Sequence, residues 1–425
     1  MELFLLKLVA LLRPLASMEY AEALFNILGI GLFAILFAAI LMKAALSKSL
    51  RLSAIDGVIV AFAAWCIAIS GIYYEETQIA EVLKVLVPIL SYTIAKNVIP
   101  DQQAYRRFLF WIIIGFAVPT LVSASLIAVG SATALDGVNY WTQVPRWKGV
   151  YTGAHSFGHS MTLFIITLAL FFTLRSTGEA KNHAISTRLE NTLFGLLGIV
   201  ALYGLYMSQV RTAVLGLLTF LSVFSYVVNR KVFLIGTAIF ILLAIATSSY
   251  WFMAFNPEIG AQKHGQEIGI MEVGSGRPTL WLNDIRVFAE RPIDAKLAGA
   301  GIGNRLGIGE GEGQVYGHND WLELLTQTGL IGLALFATLQ ILILKKILRM
   351  EGKEKSAFLA LFVAVNLMMF VSNSYVWRIQ VGHLYYMILA YIEIRQTLNP
   401  KVAYTAITTD QGKNDVLERH GRGIG

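Results

Sequence analysis

Gly317-His318-Asn319-Asp320 closes a long polar, glycine-rich stretch and opens the apolar segment that begins at Trp321. A neutral imidazole can accept a proton near pH 7, and a carboxylate two positions on can orient that ring or compete for the same proton. Two arginines stand upstream: Arg277 inside the polar stretch, and Arg211 at the head of another apolar segment. A guanidinium fork suits paired anionic oxygens. Together these residue types suit proton transfer beside a phosphate-bearing substrate.

Each residue also has a plainer reading. His318 can hydrogen bond at the entrance of a helix capped by Asn319, with Asp320 and Glu323 in its first turn. A helix N-terminus disfavours imidazolium while Asp320 favours it, and the sequence alone leaves the two balanced. Arg211 follows Ser208-Gln209-Val210 and can reach toward lipid headgroups. On a side where basic residues are scarce, an anion ligand is the better reading. Arg378, in another outer turn, presents the same choice.

Three further features carry less chemistry. His155 and His159 have the spacing of two metal ligands, but no glutamate intervenes and no third ligand is near, which favours packing or hydrogen bonding. Gly299-Ala300-Gly301-Ile302-Gly303 lacks a preceding strand and a following helix, so it reads as a flexible or tight-turning loop rather than a nucleotide cradle. Cys66 is the one cysteine, inside an apolar segment, and can form no intramolecular disulfide.

The elements that position these residues follow from composition. Of 425 residues, 56% are hydrophobic and 14% charged, with a mean hydropathy of +0.63. That is more apolar surface than one water-soluble core can bury, and the runs lack the alternation of a barrel. The chain reads as an all-α integral membrane protein of about twelve transmembrane helices. The spans fall near 3–17, 21–43, 54–72, 78–97, 108–130, 157–174, 192–208, 211–228, 232–255, 321–344, 356–374 and 379–395.

Charge orients the bundle. Lys43, Lys48, Arg51, Lys96, Arg106, Arg107, Arg175, Arg188, Lys231, Lys346 and Lys353 fall in one set of loops, which marks the cytoplasmic side. The net charge of +7 is then accounted for by anionic membrane lipids, with no nucleic-acid partner. Residues 1–255 form the first nine helices, with an outward-facing loop at 131–156 that carries Arg146. A second outward-facing loop at 256–320 carries the candidate catalytic residues, helices ten to twelve occupy 321–396, and 397–425 is a cytoplasmic tail. Within the second loop, Gly276-Arg277-Pro278 starts a short helix with an apolar strip of Leu280, Trp281, Ile285 and Phe288, stopped at Arg291-Pro292.

The order of features resembles the O-antigen ligase and Wzy polymerase superfamily. The resemblance rests on Ser208-Gln209-Val210-Arg211-Thr212-Ala213, Gly276-Arg277-Pro278 with Trp281, Gly299 to Gly303, Gly317-His318-Asn319-Asp320-Trp321-Leu322 and Gly329-Leu330-Ile331-Gly332. It implies a GT-C-type glycosyltransferase of the bacterial inner membrane, working at the periplasmic face. The implied donor is a glycan on undecaprenyl diphosphate; for a ligase, the acceptor is a sugar hydroxyl of the lipid A-core oligosaccharide. No nucleotide sugar, metal or other cofactor is expected. The family motifs carry over to His318 as general base and to Arg211 and Arg277 as diphosphate ligands, with Arg146 a further basic position. Asn319 and Asp320 stand beside the base, and Asp320 is the rival for its role. A polymerase accepting a second lipid-linked glycan is the near alternative, and a polytopic transporter the distant one.

Overall fold

The computed structural model describes residues 1–47, 50–73, 79–138, 144–175, 184–231, 233–234, 277–303, 318–372 and 375–398. The helices are α1 (Glu2–Leu15), α2 (Glu22–Ser47), α3 (Ala54–Ile72), α4 (Ile79–Val98), α5 (Gln102–Ala128), α6 (Ala154–Thr173), α7 (Ala184–Ser208) and α8 (Arg211–Val228). They continue with α9 (Arg277–Glu290), α10 (Ile293–Ala298), α11 (Asp320–Leu348), α12 (Gly352–Val371), α13 (Ile379–Leu389) and α14 (Tyr391–Leu398). Eight of these described helices are long and apolar enough to cross a membrane: α2, α3, α5, α6, α7, α8, α11 and α12. The chain is a multi-pass membrane protein. The expected span at 232–255 lies almost wholly outside the described residues.

The first segment is a helix of 14 residues, about 21 Å long at 1.5 Å per residue. It nonetheless joins the two ends of the bundle. At one end Lys43 Nζ lies 3.5 Å from Glu2; at the other, Thr152 N donates to Ser17 O at 3.3 Å.

The residues assigned by charge to the basic side meet at a common end. Lys346 pairs with Glu393 at 2.8 Å and Arg395 with Glu354 at 2.9 Å. Lys96 and Asp56 form a buried pair there. The Asp56 carboxylate also accepts from the Ser53 backbone at 2.6 Å and from Thr93 Oγ1 at 2.7 Å, so this charge is satisfied on several sides. Arg146, Arg211, Arg277 and His318 lie on elements that terminate at the opposite end.

Two short strands interrupt the helical pattern. β1 (Leu135–Val138) pairs antiparallel with β2 (Pro145–Trp147), with Gly137 opposite Arg146. The all-helical expectation omits this hairpin because strands this short show no readable alternation. It is tied down by Val150 N to Ser123 Oγ at 3.1 Å, by Lys148 to Glu19 at 2.6 Å and by Ala154 N to Asp136 at 3.2 Å.

Helix α11 is broken at Gly329, whose φ of +69° and ψ of −173° leave the helical region. A break frees the carbonyls of the preceding turn, and in an apolar medium these need new donors. The glycine run supplies them. Ala300 N donates to Thr326 O and Gly301 N to Gln327 O, both at 3.1 Å, while Gly303 N reaches Gln327 Oε1 at 2.8 Å. Arg291 Nη1 adds a bond to Thr326 O at 2.7 Å, and Trp65 Nε1 one to Thr328 O at 2.9 Å. Gly299-Ala300-Gly301-Ile302-Gly303 is therefore a tight-turning strap docked on a broken helix.

Candidate active site

His318 stands just before α11 with a φ of +49°, a left-handed conformation uncommon for residues with a Cβ. Asn319 caps the helix: its Oδ1 accepts from Trp321 N at 3.0 Å and Leu322 N at 3.1 Å. The cap holds the chain direction at the helix entrance and leaves the imidazole outside the capping bonds. Among the described residues no hydrogen bond engages the His318 ring. Burial, then the charges of Arg277 and Arg378, hold its pKa below the ordinary value of 6.5. The balance left open by the sequence falls toward neutral imidazole.

Arg277 begins α9. Its Nη1 donates to Val371 O at the end of α12, and Trp281, one turn on, packs edge-on against Phe370 with centroids 5.7 Å apart. Those two contacts dock α9 on the bundle. The inward face is not wholly the apolar strip expected: Asp284 is buried, at 6% exposure, whereas Ile285 is 48% exposed. Docking through Arg277 and Trp281 rotates position 284, seven residues on, toward the bundle. Burial raises the Asp284 carboxyl to about 6.

Arg211 begins α8 after a tight turn. Gln209 has a φ of +53°; with His318 it is one of two non-glycine residues of positive φ among those described, and each stands directly before the N-cap of a helix of the candidate site. The turn rests on α6 at Gly158, where a Cβ would lie 2.9 Å from both Ser208 Oγ and Val210 Cβ. This close approach brings the turn of Arg211 beside α6. The charge of Arg211 acts on Arg277, so the two guanidiniums lie within electrostatic reach of one another.

Arg378 is the residue that sequence reasoning left undecided. It sits at the N-cap of α13, and its charge reaches His318, His155 and His159. Its turn is held by Asp320, whose Oδ2 accepts from Tyr375 N at 3.1 Å and Val376 N at 3.4 Å. The Asp320 charge also acts on Arg378. The available signal was the one used for Arg211: an arginine opening an apolar segment on the side where cations are scarce.

His155 gathers the remaining relationships, because the charges of Arg378, Arg146, Arg277 and His318 all reach it. Arg146 thus joins the cluster from the hairpin, on the His155 side; the charges that shift His318 are those of Arg277 and Arg378. The buried Nε of Arg146 has no hydrogen-bond partner among the described residues. The rings of His155 and His159 stack with centroids 6.3 Å apart, and His159 meets Tyr375 edge-on at 6.5 Å. Among the described residues no group of three or more metal-ligating side chains is found. Four arginines and a neutral histidine therefore converge on one end of the bundle.

Residues 196–337 match the model of a family described as O-antigen ligase. Over that segment the chain is similar to this family. Comparison with curated proteins finds no match. The matched segment includes Arg211, Arg277 and His318, whereas Arg146, His155 and Arg378 come from the chain on either side of it. The site is thus completed by parts of the bundle beyond the matched segment.

Proposed function

We propose that this protein is an O-antigen ligase of the GT-C type, transferring a glycan from undecaprenyl diphosphate to a sugar hydroxyl of lipid A-core oligosaccharide at the periplasmic face of the inner membrane. The observation that carries this reading is the convergence of Arg277 and Arg378 on a neutral His318 within and beside the matched segment.

The chemistry follows from the residues. A neutral His318 accepts the proton of the acceptor hydroxyl as that oxygen attacks the anomeric carbon. The bond from that carbon to the diphosphate breaks, and its electron pair leaves with the lipid diphosphate. Attack opposite the leaving group inverts the anomeric centre. Arg211 and Arg277 repel one another in the free protein, so a diphosphate between them relieves that repulsion while gaining forked hydrogen bonds. Arg378 and Arg146 extend the cationic surface along the leaving group. Asp320 is committed to two backbone N–H groups of the turn that presents Arg378, a positioning role that favours His318 as the base.

Reconstitution with an undecaprenyl-diphosphate-linked glycan and, separately, lipid A-core or a second lipid-linked glycan tests the assignment. Transfer to lipid A-core by the wild type, lost in a folded, donor-binding His318→Ala variant, is expected. Chain extension on the second lipid-linked glycan instead makes the protein a polymerase. No transfer to either acceptor by the wild type overturns the glycosyltransferase reading and returns the transporter.

A further inference from the structure

At the end of the bundle remote from His318, Gln103, Arg106, Arg107, Phe110, Phe171 and Glu190 line a cleft of about 190 Å³. It lies between the start of α5, the end of α6 and the first half of α7. Arg106 and Ser123 belong to the same helix, and Ser123 holds the hairpin backbone at the site end. Seventeen residues at 1.5 Å each separate them by about 26 Å. The cleft therefore opens near the opposite membrane boundary, in the layer of the basic loops.

Its charges are unequal. Glu190 receives Arg175 at 3.2 Å and Arg106 at 3.7 Å, and Asn191 holds the other arm of Arg175 at 2.8 Å. Arg106 also lies over the Phe171 ring, 4.6 Å from its centroid. Arg107 is exposed and enters no ion pair among the described residues. Glu190 thus orients Arg106 and Arg175, while the guanidinium of Arg107 lines the same cleft without an acidic partner among the described residues. One helical turn deeper, Phe110 is 38% exposed and packs against Phe194 at 6.1 Å. Cations at the rim and aromatic rings beneath match a phosphate with an acyl chain below it.

We propose that this cleft binds a phosphate group, with Arg107 and Arg106 as its ligands, carried by an anionic phospholipid headgroup or free in solution. The inference is independent of glycan transfer. Wild type, Arg107→Gln and Phe110→Ala, each checked for wild-type thermal unfolding, are incubated with phosphatidylglycerol or phosphatidylcholine, and retained lipid is counted by native mass spectrometry. A parallel arm titrates inorganic phosphate. Wild type is expected to prefer phosphatidylglycerol, Arg107→Gln to bind it about fivefold more weakly, and Phe110→Ala to weaken the lipid but not inorganic phosphate. Binding of inorganic phosphate that depends on Arg107, without preference for phosphatidylglycerol, assigns free phosphate as the source. Equal retention of phosphatidylglycerol by wild type and Arg107→Gln together with phosphate binding that does not depend on Arg107, or no lipid preference together with no phosphate binding, overturns the proposal.

Discussion

The Asp320 carboxylate accepts the backbone N–H of Tyr375 at 3.1 Å across 55 positions of sequence, tying the first turn of α11 to the turn that presents Arg378. One acid thus sets the relative placement of a candidate base and a candidate diphosphate ligand that the chain keeps far apart. Asp320→Ala leaves two backbone donors without their acceptor, at a cost of about 1–3 kcal/mol for such a group. The expected result is a lower unfolding temperature together with weaker donor binding. Asp320→Asn keeps an acceptor oxygen and should recover most of the stability but not the donor affinity, because the charge acting on Arg378 is gone. Full donor affinity in Asp320→Asn would show that this charge plays no part in placing Arg378.

Arg211, Arg277 and Arg378 should each matter through bidentate contact. Hydrogen bonds to charged groups contribute about 1.5–3 kcal/mol, so each alanine variant should bind the lipid-linked donor roughly 10- to 100-fold more weakly. Lysine should rescue poorly, since a point charge cannot make the fork. Donor titration of purified variants measures this. Lysine variants with wild-type affinity would reduce the arginines to a general electrostatic field.

Parts of this arrangement were legible in the sequence. α3 and α8 have the expected bounds, because an apolar run with a capping residue or turn at its edge fixes a helix locally. Gly276-Arg277-Pro278 likewise marked the start of α9. The Gly329-Leu330-Ile331-Gly332 motif was visible, but its reason was not: Gly329 breaks α11 at positive φ and hands carbonyls to the strap. That relation, like Asp320 with Tyr375, joins distant segments and leaves no local periodicity. Arg378 stayed ambiguous for the same reason, since only packing distinguishes a lipid-facing arginine from one turned toward histidines.

The strap predicts a sharp asymmetry between glycines. A Cβ at Gly329 would overlap Leu297 O and lie 2.5 Å from Gly299 N, at a φ of +69°. With a ψ of −173° the backbone lies in a region essentially confined to glycine, which costs an alanine about 1–3 kcal/mol, and displacement of the strap adds to it. Gly329→Ala should therefore lower the unfolding temperature markedly and reduce transfer, while Gly31→Ala, where a Cβ meets nothing within 4 Å, should be neutral or slightly stabilising. Thermal unfolding of both in one detergent provides the comparison. A neutral Gly329→Ala would mean that the break does not depend on the glycine.

The orientation predicts accessibility. In a Cys66→Ala background, a cysteine at Lys148 should react with an impermeant thiol reagent in cells whose outer membrane is permeabilised, and one at Lys353 should not. The reverse pattern would invert the bundle and exclude a periplasmic site.

The pH dependence of transfer tests the base most directly. In the proposed mechanism the neutral form of His318 is the active one, and its pKa is lowered by burial and by Arg277 and Arg378. Protonation therefore occurs only at a pH below the ordinary value of 6.5, so kcat/KM, which reports the free enzyme, should stay level from neutral pH down and fall on an acid limb below that value. Removing a nearby cation removes part of the shift. Arg277→Gln should move the acid limb to higher pH as well as weaken donor binding, whereas Arg146→Gln, whose charge does not figure in the His318 shift, should weaken the donor without moving the limb. In His318→Ala the limb should disappear along with about 10²- to 10⁴-fold of turnover. Asp284, with its carboxyl raised to about 6, is the competing source of an ionisation in this range. An acid limb that survives His318→Ala but vanishes in Asp284→Asn would transfer the assignment to that carboxyl.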